Sequence, residues 1–156
     1  MDPLSIGLSY VGAILALMGG LVGSSIGIGR AGSVGSAALA EDPKQFRNVF
    51  LLASLPITQT FYGLIVLIQF ISFVNSNIDK LGFSTGLTLF WLGLAVGLAE
   101  FFSAWYQGKV CSSGIAELPR TKGRITFNAM ILAVYVELIG ILGMVSGLLG
   151  LSLIKI

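Results

Sequence analysis

Apolar residues in this chain do not alternate; they run on. Four long stretches, roughly 6–40, 48–74, 84–117 and 124–154, are hydrophobic apart from scattered small and polar residues. The polar residues collect at three breaks: EDPKQFR (41–47), NSNIDKLGFS (75–84) and ELPRTKGR (117–124). A bilayer core is crossed by about 20 helical residues. Segments of about 30 residues reach ~45 Å, so the helices are expected to project beyond the lipid or tilt. Continuous apolar runs exclude a closed β-barrel, whose strands alternate. The pattern predicts an all-α membrane protein with four transmembrane helices in a single membrane domain, 1–156.

Composition sharpens the class. Of 156 residues, 55% are apolar and 10% charged, against about 25% charged in soluble domains. A soluble fold could not cover its surface with so little charge. One cysteine, Cys111, and no histidine exclude an intrachain disulfide and a histidine-based metal site or catalytic base. With no phosphate loop and no nucleophile constellation, the chain is expected to have no catalytic site of its own. Nucleic acid is not an expected partner. The start, MDPLSIGLSY, lacks a basic leader region, so no signal peptide is expected.

Charge placement gives an orientation. Lys44, Arg47, Arg120, Lys122 and Arg124 occupy the first and third breaks, while Lys80 and Lys155 lie on the opposite side. By the positive-inside rule, loops 41–47 and 117–124 are cytoplasmic and both termini lie outside.

The two halves resemble each other. GRAGSVGSA (29–37) matches GKVCSSGIA (108–116) at an offset of 79, which pairs Arg30 with Lys109. The second helices match at an offset of 78, which places Gln59 on Glu137. Each copy, 6–74 and 84–154, is a helical hairpin, so the repeats are parallel and not inverted. In the first helix Gly19, Gly23 and Gly27 form a stripe of small residues that lets backbones approach closely in lipid. Packing within the subunit is part of its role, and its extent suggests the inner wall of a ring.

Glu137 stands alone in AVYVELIGILG (133–143). An ionised carboxylate at membrane depth is costly and is a functional hypothesis by default. Thr58 and Gln59 lie 11 and 12 residues in from Arg47, and Gln107 lies 10 residues before Glu117. Three helices thus carry polar groups at a level similar to that of Glu137. Leu55, Thr58, Gln59 and Tyr62 share one helix face. Pro56 removes a backbone hydrogen bond and leaves nearby carbonyls available. The donors are oxygen-rich, as a hard cation requires, and one acid matches a monovalent ion. The plain alternative stays open: interhelical hydrogen bonds around a protonated Glu137.

LPITQTFYG (55–63), YQGKV (106–110) and AVYVELIG (133–140) resemble the duplicated four-helix proteolipid, the K or c subunit, of V-type rotary ATPases, most closely its bacterial sodium-pumping branch. The resemblance implies a homo-oligomeric rotor ring with Glu137 as ion carrier. It implies Na⁺ ligands from Thr58, Gln59, Gln107, Glu137 and the Leu55 carbonyl, with Tyr62 hydrogen-bonded to the acid. The implied partners are a stationary membrane subunit with two half-channels and a central-stalk subunit at loops 41–47 and 117–124. The matching ligand set favours Na⁺, with H⁺ as the alternative ion.

Three features stand outside that set. Glu100 lies two turns from Gln107, on the same face and further outside; it is expected to be protonated or hydrogen-bonded, with a second carrier site as the sharper reading. Arg30 and Lys109 either snorkel to the interface or face the ring lumen and hold anionic phospholipid. Cys111 is expected to pack. Competing readings of the whole chain are a small four-helix cation antiporter and a structural or pore-forming proteolipid.

Overall fold

The computed structural model describes residues 2–155, and all regular structure among them is helical. Four helices are long and apolar enough to span a membrane: α1 (Pro3–Glu41), α2 (Pro43–Ser76), α3 (Phe83–Ala116) and α4 (Thr126–Ser152). At 39 residues, α1 measures about 58 Å, nearly twice a hydrocarbon core of about 30 Å. The chain therefore forms two consecutive helical hairpins, α1–α2 and α3–α4.

Local chemistry explains the ends. The Asp2 carboxylate accepts from the Leu4 N–H, and Pro3 occupies the first turn, where its missing N–H costs nothing. The first connection is shorter than the seven-residue break 41–47 suggests. Only Asp42 lies outside a helical turn, because its carboxylate caps the turn Pro43–Gln45, accepting from Lys44 N–H and Gln45 Nε2. The Gln45 amide holds the Asp42 carboxyl below its ordinary range. The third connection holds one helical turn, Leu118–Thr121, then reverses through Lys122 (φ 52°) and Gly123 (φ 81°). Lys122 Nζ lies 4.0 Å from Asp42 Oδ2, so the two basic connections meet at one end of the bundle.

α2 is not uniform. Pro56 cannot donate to the carbonyl one turn back, and the helix tightens into a 3₁₀ turn at Leu55–Ile57 before resuming at Thr58.

The tightest packing is between the first helices of the two hairpins. A side chain on Gly19 would strike the backbone of Gly97; one on Gly93 would strike Gly12; one on Gly108 would strike Gly27. These pairs advance together along both chains, so α1 and α3 run parallel in backbone contact. α2 also closes on α1, with Gly63 against the backbone of Ala16 and Gly20 against that of Gln59. Dispersion between closely approached backbones replaces the hydrophobic drive that lipid cannot supply.

Two apolar clusters result. One, around Leu52, Ile115 and Leu118, lies toward the basic connections. The other, around Val66, Phe70 and Leu89, lies toward the opposite end. Between them sits a polar layer.

Gly19→Val should destabilise the helix bundle by at least the 1–3 kcal/mol typical of overpacking, because the new methyls meet backbone that cannot yield. Gly7→Ala is the control: nothing lies within 4 Å of its added methyl, and it should be neutral or slightly stabilising. Thermal melts of the detergent-solubilised protein should separate the two.

Candidate ion-binding site

The polar layer draws on α2, α3 and α4. The 3₁₀ turn at Leu55–Ile57 delivers Thr58 and Gln59 to its edge. Thr58 Oγ1 lies 3.1 Å from the Leu55 carbonyl and 3.2 Å from Gln59 Oε1, two acceptors that share its one proton. Gln59 is fully buried; its Nε2 donates to Gln107 Oε1 at 2.9 Å and to Ser103 Oγ at 3.0 Å. Gln107, fully buried on α3, donates from Nε2 to Glu137 Oε2 (3.2 Å) and to the Ala133 carbonyl (3.3 Å). Tyr62 Oη donates to Glu137 Oε1 at 2.6 Å.

Glu137 and the five residues singled out around it therefore belong to one hydrogen-bonded chain. It runs from Leu55 and Thr58 through Gln59 and Gln107 to Glu137, and Tyr62 closes the other carboxylate oxygen. The half-buried Glu137 sits at the edge of the layer. Apolar side chains exposed on α4 flank it: Val134, Tyr135, Leu138 and Ile139.

Two details were not legible from residue types alone. Ser103 is a full member of the layer: besides accepting from Gln59, its hydroxyl donates to the Val136 carbonyl at 2.9 Å. It sits four residues before Gln107, one turn along the same face, and that spacing is the signal that could have found it. The orientation of Gln107 is the second: it presents Nε2, not Oε1, to the carboxylate.

The remaining candidates lie elsewhere. Glu100 is fully buried on α3, and among the described residues neither of its oxygens has a hydrogen-bond partner. Of the two expected states, protonated or hydrogen-bonded, the hydrogen bond is not present among the described residues, where the neighbouring Ser103 hydroxyl already pairs with Gln59 and Val136. Arg30 is exposed. Lys109 places Nζ 4.8 Å from the Tyr106 ring centre and 5.9 Å from that of Trp105, a cation–π contact. Cys111 is buried and packs in the cluster nearer the basic connections.

Two parallel helical hairpins with a carboxylate on the last helix and amides facing it define a duplicated membrane proteolipid. Comparison with known proteins agrees. The model of the ATP synthase C-subunit family matches twice, at residues 11–70 and 90–149, and the chain belongs to that family. It is 36% identical over 149 residues, 96% of its length, to A-type ATP synthase subunit K of Methanocaldococcus jannaschii, and spans 63% of that relative's length. It is 33% identical over 124 residues to V-type sodium ATPase subunit K of Enterococcus hirae, covering 80% of this chain and 77% of that one.

Ser103→Ala should cost about 1–3 kcal/mol, because the Gln59 amide and Val136 carbonyl each lose a buried partner. Ser103→Thr keeps the hydroxyl and should recover most of the loss in the same thermal melts.

Proposed function

We propose that the chain is the rotor proteolipid of a V/A-type ATPase and carries Na⁺ on Glu137. The observation that supports this most directly is the chain of Thr58, Gln59, Gln107 and Tyr62 converging on one carboxylate at membrane depth. The name of the Enterococcus hirae relative, a sodium ATPase subunit, supports the choice of ion.

The chemistry follows from charge. An ionised Glu137 cannot face hydrocarbon cheaply. A bound Na⁺ cancels its charge, and the neutral pair can pass through lipid. Na⁺ would take oxygens from Glu137, Thr58 Oγ1, Gln59 Oε1, Gln107 Oε1 and the Leu55 carbonyl. To admit it, the Gln107 amide turns so that Oε1 replaces Nε2 at the carboxylate, and it exchanges its hydrogen bonds with Gln59, Ala133 and Glu137 for the ion. Such a terminal amide torsion is soft. Tyr62 holds the carboxylate from its other side.

In this reading identical copies close into a ring in the membrane, where a heterologous interface makes every step equivalent. A stationary membrane subunit with two half-channels empties and refills each site. Moving one charge through 100 mV is worth about 2.3 kcal/mol, so several ions are needed to match one ATP. The central stalk seats on loops 41–47 and 117–124, which carry five basic residues and are cytoplasmic by the positive-inside rule. Both termini are then outside. The halves 6–74 and 84–154 act as one unit with a single carrier, since Gln59 stands where the first copy's acid would be.

Glu137→Gln should abolish ion-coupled rotation while the ring still assembles; normal transport by that variant would refute the carrier role. Na⁺ should protect Glu137 from carbodiimide labelling, and less should suffice as pH rises and protons compete less. Protection by acid alone, with no Na⁺ effect, would identify a proton ring. A dimeric mass for the native particle would favour the antiporter instead.

A further inference from the structure

Glu100 is the one carboxyl in the membrane layer that the carrier scheme leaves unused. Its side chain is fully buried, and neither oxygen has a hydrogen-bond partner among the described residues. Neither of the two ion pairs among those residues involves it. Yet its surroundings are shaped around it. Oε2 lies 2.7 Å from the point where a side chain on Gly140 would begin, and Ser103 Oγ lies 3.1 Å from the same point. Oε1 lies 3.6 Å from the equivalent point on Gly143. Two glycines of α4 thus leave room for the carboxyl, and Ser103 borders the same space.

A buried carboxyl without a cationic side chain must be neutralised by something it binds. A proton would let one oxygen donate to the Ser103 hydroxyl and would leave the other without a partner, an unmet hydrogen bond costing about 1–3 kcal/mol. A hard monovalent cation needs only oxygens. It can take both oxygens of Glu100 together with Ser103 Oγ. That hydroxyl has already given its proton to the Val136 carbonyl and keeps a lone pair beyond the one Gln59 uses.

We infer that Glu100 and Ser103 form a second monovalent-cation site, about one turn of α4 from Glu137 and further from the basic connections. Each subunit then holds two ions, one at the partly exposed carrier and one enclosed. The inference takes Na⁺ as the ion, as the carrier reading does, but it stands on the Glu100 pocket.

Equilibrium binding of ²²Na⁺ to the purified oligomer, measured per protomer, tests it with wild type, Glu100→Gln and Glu137→Gln. Each variant is expected to halve the bound Na⁺, and the double variant to abolish it. Unchanged binding in Glu100→Gln, with complete loss in Glu137→Gln, would overturn the second site and leave the carrier reading standing. Complete loss in Glu100→Gln, with none in Glu137→Gln, would keep the Glu100 site and refute the carrier. If Glu100→Gln fails to assemble, Glu137→Gln alone decides: half of wild-type binding supports the second site, and none overturns it.

Discussion

Where Gly19 meets Gly97, two helices touch backbone to backbone, and the geometry of the polar layer follows from that contact. Any side chain there would push α3 away from α1. α3 carries Ser103, Gln107 and Glu100, so a shift of α3 moves three members of the layer at once. α2 is set against α1 in the same manner, through Gly63 and Gly20. The small residues therefore do more than permit helix association in lipid. They set the separation at which Gln59 on α2 reaches Gln107 on α3, and Gln107 reaches Glu137 on α4.

The second constraint is electrostatic. Polar groups in hydrocarbon must pair internally, because water is not there to do it. The layer meets this almost completely. Gln59 and Gln107 each use both kinds of amide group, and Glu137 receives a donor on each oxygen. Glu100 is the exception. An unmet carboxyl in so well paired a layer is what makes it a candidate ligand and not a packing accident. The flanking apolar clusters insulate the layer on both sides, which strengthens every interaction inside it.

The helical breaks answer to the same need. Pro56 gives up a backbone hydrogen bond, and the tight turn that results carries the Leu55 carbonyl to the Thr58 hydroxyl. Asp42 and Lys122 bring the two basic connections together at one end, so the charge asymmetry read from the chain is also a single charged surface. Exposed apolar side chains occur on every helix, as expected of a subunit that faces lipid or copies of itself.

The run lengths of apolar residues, the three polar breaks, the glycine stripe and the isolation of Glu137 were all legible in one dimension. Each follows from a local rule: helix rise, bilayer thickness, side-chain size or the cost of charge. The depth of Thr58, Gln59 and Gln107 was legible for the same reason, since rise along an axis depends only on residue number. What turns inward around that axis does not. The place of Ser103 in the layer, the amide face that Gln107 offers, and the absence of any partner for Glu100 among the described residues depend on how three helices rotate against one another. That rotation is decided by close packing between residues far apart in the chain, and so only the tertiary structure could supply it.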